Sequence, residues 1–248
     1  MIALEVHQLN LVRPILRGAE LVEQHVLQDV EFSVDTGNIA ALLGPSGSGK
    51  STTLRLINRL DEPTSGRVLL FGQDALAMDV RELRRRVGFV SQIPAVLPGT
   101  VAHNICFGPS LRGNQCDARH FIKLVGLDAD LLERPADALS VGQQQRVCIA
   151  RALAVKPDVV LLDEPTAALD SSAANTLLNL VSQLNRELGL TVIMVTHALE
   201  HAKAVAHQVV LLNEGRVIEA SDAAEFFSRP ATEEGLWFLK GGMVQDGR

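Results

Sequence analysis

The chain has 248 residues, 47% of them hydrophobic and 21% charged, the profile of a folded protein with room for one large α/β domain or two small ones. Its formal net charge of −6 provides no long-range positive field to gather DNA or RNA, so no nucleic-acid partner is expected. No apolar run approaches the about 20 residues a bilayer requires, and the opening MIALEVHQLN has neither the basic start nor the apolar core of a secretory signal. Any membrane process served by this chain is therefore expected to need another chain for the spanning.

Ala3–Leu11 and Val26–Val34 alternate in the manner of strands, and Thr36-Gly37-Asn38 reads as the turn that follows. Ile39–Leu43 is a short apolar strand running into Gly44-Pro45-Ser46-Gly47-Ser48-Gly49-Lys50-Ser51. Thr52–Leu60 has helical periodicity, with Leu54, Ile57 and Leu60 on one side, and stops before Pro63. The basic run Arg84-Arg85-Arg86 follows Arg81 at helical spacing and reads as a solvated helix face. From Ile93 to Val155 the pattern is mostly helical, broken by Pro94, Pro98, Pro109 and Pro135. The three cysteines, Cys106, Cys116 and Cys148, lack CxxC spacing and a nearby His cluster, so each is expected to be a reduced, neutral residue. Val159–Leu162 and Thr191–Val195 are apolar throughout, as in parallel strands covered on both faces, and the amphipathic Ala173–Leu188 separates them. Val209–Leu212 and Arg216–Glu219 around Asn213-Glu214-Gly215 predict a hairpin, and Trp237 in the tail Ala223–Arg248 reads as a packing residue.

Gly44–Ser51 matches G-x-x-x-x-G-K-[ST], a pattern expected by chance roughly once in a hundred chains of this length at background glycine frequency. Its glycines let backbone N–H groups turn inward, and the helix start adds positive potential, so strand, loop and helix together read as a phosphate cradle. Lys50 can reach the β- and γ-phosphates and Ser51 can place its hydroxyl on Mg²⁺. Val159–Leu162 ends in Asp163-Glu164-Pro165, where the carboxyl end of a parallel strand puts ligand chemistry. Asp163 reads as the Mg²⁺ residue and Glu164 as the general base or water-orienting group. Taken alone, two acids at a strand end would read as readily as a plain acidic turn; the phosphate loop tips the balance.

Leu139-Ser140-Val141-Gly142-Gln143, followed by Gln144-Gln145-Arg146, stands 23 positions before Asp163 at the start of a helix over Gln144–Ala154. By itself Ser-x-Gly-Gln is an N-cap. With the phosphate loop and the acid pair, it makes the chain resemble the ATP-binding subunits of ABC transporters from end to end. That resemblance implies a P-loop α/β core with a mostly parallel sheet, an N-terminal antiparallel β subdomain and an inserted helical subdomain. It also implies boundaries at 1–92 and 156–220 for the core, 93–155 for the helical part and 221–248 for a tail. It further implies a head-to-tail dimer holding two ATPs, in which Ser140, Gly142 and Gln143 of one copy meet the γ-phosphate held by Gly44–Ser51 and Thr52 of the other. Gln92, in Phe89-Val90-Ser91-Gln92, matches the glutamine that contacts Mg²⁺ or water and senses the membrane partner. Asp170, in Ala168-Leu169-Asp170, matches the loop that crosses the dimer interface. His197, 34 positions after Asp163, matches the histidine that contacts the γ-phosphate and positions Glu164, whereas His7, His25, His103, His120, His201 and His207 keep structural readings.

Two departures from the family pattern stand out. Val141 occupies a position that is usually glycine, and the chain has no tyrosine to stack on adenine, an ungapped count placing Leu21 there within a stretch, Arg13–Glu23, longer than usual. The resemblance further implies permease subunits docking on Ile93–Val101 beside Gln92, a substrate-binding protein if the system imports, and a cytoplasmic position on the inner face of the membrane. Phe107–Gly113 is similar to phosphate-importer and small metal- or ion-export ATPases, which makes a phosphate-like anion or a metal ion the expected cargo. A soluble ABC ATPase of DNA repair or translation is the weaker alternative, because Gln92 and Ser140 lie only 48 positions apart, too few for a long coiled-coil insertion. A non-hydrolysing switch is weaker too, since Lys50, Glu164 and His197 are all present.

Overall fold

The computed structural model describes residues 1–18 and 20–241; the end of the tail lies outside the described residues. Chain order runs β1 (Ile2–Arg17), β2 (Glu20–Asp35), β3 (Ile39–Leu43), α1 (Lys50–Ile57), β4 (Ser65–Leu70), β5 (Gln73–Asp74), α2 (Val80–Arg86) and β6 (Val87–Val90). There follow α3 (Val101–Ser110), α4 (Ala118–Leu124), α5 (Val141–Leu153), β7 (Val159–Asp163), α6 (Ser171–Leu188), β8 (Thr191–Val195) and α7 (Leu199–Val205). The chain then forms β9 (Gln208–Asn213), β10 (Arg216–Asp222), α8 (Ala223–Ser228) and α9 (Glu233–Leu239).

Two sheets share the work. A four-stranded antiparallel sheet has the order β2-β1-β4-β5, and a six-stranded sheet has the order β10-β9-β3-β8-β7-β6, parallel except for the β9–β10 hairpin. β3 and β8 are buried at every position, which is why their sequences are apolar without alternation. Asp170 caps α6 by accepting the Ala173 N–H at 2.9 Å, and Gly189 ends the helix at φ 64, a left-handed position suited to glycine. The buried stripe of α6 (Leu177, Leu178, Val181, Leu184) packs with α5 and β7 in the core beneath the helical segment. At about 1.5–3 kcal/mol for each fully buried side chain, this stripe outweighs the helix's own weak propensity.

Four expectations change here. Cys106 and Cys116 are joined in a disulfide, because the loop after α3 folds back and brings their Cα atoms to 5.5 Å; only Cys148 of the three is free, and it is buried. The arginine run is a solvated face only in part: Arg84 is exposed, Arg85 and Arg86 are partly buried, and all three are engaged. Arg84 donates to the carbonyl oxygens of Asn58 and Arg59, Arg85 pairs with Glu82, and Arg86 binds Asp158 at 2.6 Å. Pro109 does not break a helix but lies inside the last turn of α3. Trp237 is half exposed on α9, where Gly235 is the buried residue.

Candidate functional site

β3 delivers the chain into the phosphate loop, and α1 leaves it. Gly44 has φ 142, and a Cβ there would strike the carbonyl oxygen of Leu212 and come within 2.8 Å of Ser48 Oγ. Gly49, the residue before α1, has φ 99 and faces Leu27 of β2, so neither position admits a side chain. The loop lines a cavity of about 190 Å³ with Val26, Ser46–Thr52 and Glu164. Lys50 is buried, and its ammonium donates to the carbonyl oxygens of Gly44 (2.8 Å) and Pro45 (2.7 Å). Burial pushes this lysine below its ordinary range, against the opposing pull of Glu164 and Asp163. A cation held by main-chain oxygens at a loop mouth is stored where phosphate oxygens can replace them.

β7 carries the acid pair to the same place. Ser51 Oγ donates to Asp163 Oδ1 at 2.7 Å, tying the start of α1 to the end of β7. Burial raises the Asp163 carboxyl, while the Ser51 hydrogen bond and the charges of Lys50 and Arg55 hold it back. Glu164 adopts φ 46, an uncommon conformation for a residue with a side chain. There its two carboxylate oxygens have separate partners: Gln92 Nε2 donates to Oε2 at 3.1 Å, and His197 Nδ1 lies 3.0 Å from Oε1. Lys50, Ser51, Asp163, Glu164, Gln92 and His197, from four separate stretches of sequence, thus converge on one loop mouth.

The helical segment places the remaining predicted residues differently. Ser140 Oγ accepts the Gln143 N–H at 3.3 Å, and Gln143 Oε1 accepts the Ser140 N–H at 3.0 Å, a reciprocal cap at the start of α5. Val141 is exposed, and a Cβ on Gly142 would sit 3.5 Å from Leu169 Cδ2, just before Asp170. Among the described residues, no hydrogen bond joins Ser140, Gly142 or Gln143 to the phosphate loop of their own chain. Leu21 is not brought to the loop either. It is 72% exposed and pairs with Leu16 near the end of the β1–β2 ribbon, about 16 Å of strand from Val26, the residue that does line the cavity. The shift has a physical cause: both strands run five or more residues beyond their predicted ends, through several bulges that an ungapped count cannot follow.

Sequence reasoning passed over Val26 and Gln145. Gln145 is buried and donates through Nε2 to the Ser91 carbonyl at 3.2 Å, tying α5 to the residue before Gln92. An uncharged residue inside a helix carries no local signal of such a long-range bond.

Comparison with known proteins agrees with this geometry. A family profile described as "ABC transporter" matches residues 27–167, more than half of the chain. Protein STAR1 of Oryza sativa subsp. japonica is 43% identical over 217 residues, covering 86% of this chain and 63% of that protein. The methionine import ATP-binding protein MetN of Cupriavidus metallidurans is 43% identical over 220 residues, covering 85% of this chain and 64% of its own length. The chain therefore spans a little under two thirds of these two relatives. The dimeric post-hydrolysis structure of an ATP-binding cassette bound to ADP and Pi superposes with a TM-score of 0.78 at 30% identity, covering 89% of this chain and 98% of that one. Phosphate loop, acid pair and capped Ser-x-Gly-Gln helix, in this order on this fold, show that the chain belongs to the ABC transporter family as an ATP-binding cassette.

Proposed function

We propose that this chain is the ATP-hydrolysing motor of a membrane transporter, working as a head-to-tail pair of copies with two ATPs between them. The observation that carries the reading is Glu164, held from both sides by Gln92 and His197 at the mouth of the phosphate loop. Its carboxylate is positioned to orient a water for in-line attack on a γ-phosphate. On nucleotide entry Lys50 exchanges the carbonyls of Gly44 and Pro45 for phosphate oxygens, and the N–H groups of the loop and of α1 do the rest. The hydroxyl of Ser51, the carboxylate of Asp163 and the amide oxygen of Gln92 form a hard donor set that suits Mg²⁺. A Mg²⁺ held by these residues would supply positive charge against the phosphate oxygens.

The capped start of α5 presents Ser140 and Gly142 with a helix N-terminus behind them, an anion site unused within its own chain. A second copy supplies the anion, and the dimeric ADP-bound relative supports that arrangement. The domain boundaries and roles expected above belong to this proposal, with one change: Val26, not Leu21, is the apolar contact beside the nucleotide.

No described helix is long and apolar enough to cross a membrane; in this reading the transport step belongs to separate permease subunits, an assignment supported by the similar cassette described as part of an ABC transporter complex. A groove of about 420 Å³ lined by Leu60, Phe89, Gln92 and Ile93, with Ile93 77% exposed, supports docking of such a subunit beside Gln92. Operation at the cytoplasmic face of the membrane follows. The relative named as a methionine importer favours import and hence a substrate-binding protein as a further partner. Phe107–Gly113 builds the last turn of α3 and the disulfide-closed loop, so the permeases, not this phrase, select the cargo. Light scattering of Glu164→Gln tests the pairing. Mg·ATP converts it from one copy to two, and a chain that stays single at saturating Mg·ATP refutes the sandwich.

A further inference from the structure

A cavity of about 650 Å³ lies apart from the phosphate loop. It opens where the start of α4 faces the turn after α5 and the turn between α6 and β8. Phe121, Leu124 and Leu190 give it apolar walls, and Lys156, His120 and Cys116 lie on its lining. We propose that the Cys106–Cys116 pair is a reversible thiol–disulfide site, served by a small carboxylate-bearing thiol of the glutathione class that enters this cavity, and that its state sets the rate of ATP turnover.

Five observations carry the proposal. The two cysteines are ten positions apart, with Cα atoms 5.5 Å from each other, inside the range a disulfide bridges without backbone movement. Both are half-buried and so within reach of an attacking thiolate. Cys148 is buried, and burial pushes its thiol up, leaving no competing partner. The cavity has the volume of an ordinary small-molecule site. Asp117 and Asp158 on its lining are engaged, one capping α4 and the other binding Arg86, while the Lys156 ammonium has no ion pair among the described residues. That ammonium suits the carboxylates of the entering thiol.

The exchange balances. A small thiolate attacks Sγ of Cys116, the Cys106–Cys116 bond breaks, and Cys106 leaves as a thiolate that takes a proton from water. A second small thiol attacks the mixed disulfide and leaves as a small disulfide, and Cys116 takes a proton in turn. Two electrons pass from two small thiols to the protein, and oxidation by the small disulfide is the reverse.

The path to the motor is short. Two positions before Cys106 in α3, Asn104 bonds Leu97 in both directions, at 2.7 and 2.9 Å, and accepts from Arg151 of α5 at 3.2 Å. Arg151 also donates to the Ala95 carbonyl at 2.7 Å. The staple thus clamps the helix that carries both the segment after Gln92 and the helix that begins at Ser140. In the bonded form this unit is stiff; opened, the last turn of α3, which holds Gly108, and the loop 111–115, which holds Gly113, are released.

This inference rests on the ATPase reading, so its test has a readout independent of hydrolysis. The purified full chain is equilibrated in glutathione buffers, alkylated and weighed intact, and Mg·ATP hydrolysis is measured on the same samples. Two thiols per chain are expected to interconvert, with turnover about threefold faster in the reduced form. Cys106→Ser and Cys116→Ser hold the reduced rate in every buffer. Lys156→Glu slows exchange with glutathione about fivefold while leaving exchange with uncharged 2-mercaptoethanol unchanged. A pair that stays bonded in excess glutathione, thiols that never pair, or equal turnover in both forms overturns the proposal. Equal exchange rates for Lys156→Glu overturn the cavity's part in it. Absence of hydrolysis in every buffer defeats the ATPase reading and the turnover claim with it, while the thiol count still decides the exchange.

Discussion

Glu219 is a buried carboxylate outside the nucleotide site, and Glu219→Gln is expected to cost about 3 kcal/mol of stability. In the native fold Oε1 accepts from Ser221 Oγ (3.0 Å) and the Ala231 N–H (3.0 Å), and Oε2 from the Thr232 N–H (3.1 Å) and Thr232 Oγ1 (2.9 Å). Glutamine keeps the shape but turns one acceptor oxygen into a donor, so the backbone N–H on that side is left facing an amide N–H while the hydroxyl beside it turns to accept, and the remaining bonds lose the charge that strengthened them. Hydrogen bonds to a charged group are worth roughly 1.5–3 kcal/mol each, and the site is only 7% exposed, so little is recovered from water. For a domain of this size, 3 kcal/mol lowers Tm by about 6–12 °C. Burial pushes the Glu219 carboxyl up, but its four hydrogen bonds together outweigh that and hold it below the ordinary glutamate range. A lowered folded-state pKa contributes stability above the unfolded value, near pH 4.3, and loses it as pH falls through the folded one. Thermal unfolding of both chains from pH 8 downward should therefore show a gap that is flat near neutrality and shrinks in acid below about pH 4. A glutamine variant as stable as wild type at pH 7, or a gap unchanged in acid, refutes the reasoning.

Asp163→Asn should raise the Tm of the nucleotide-free chain at neutral pH, because Asp163's raised pKa marks a charge the fold bears at a cost, and should abolish Mg²⁺-dependent nucleotide binding. That cost is present above the folded pKa and vanishes below the unfolded one, so melting curves of the two chains should converge in acid. Val26→Glu puts a carboxylate in the cavity that receives the triphosphate, and calorimetry should show ATP affinity reduced by about tenfold or more with the fold intact.

The part of the site made of ordered local motifs was legible in the sequence. Lys50 and Ser51 follow a glycine loop, Asp163 and Glu164 end an apolar strand, and His197 ends the next, so the parallel sheet could only gather them at its carboxyl edge. Features that depend on register or on chain reversal were not. Leu21 was misplaced because bulges and a long ribbon separate position in sequence from position in space. The Cys106–Cys116 bond depends on a loop folding back, which spacing does not announce. The arginine run read as solvated because its partners, the carbonyls of Asn58 and Arg59 and the carboxylate of Asp158, lie up to 72 positions away. Gln145 reaches Ser91 across 54 positions with no charge or period to betray it.

The most direct test of the central claim is steady-state Mg·ATP hydrolysis by the purified chain beside Glu164→Gln, with ATP binding measured on both. Wild type should turn over, and the variant should bind ATP comparably while its rate falls about a hundredfold or more, as expected when the group that orients the water is lost. A Glu164→Gln chain that hydrolyses ATP at the wild-type rate would contradict the account.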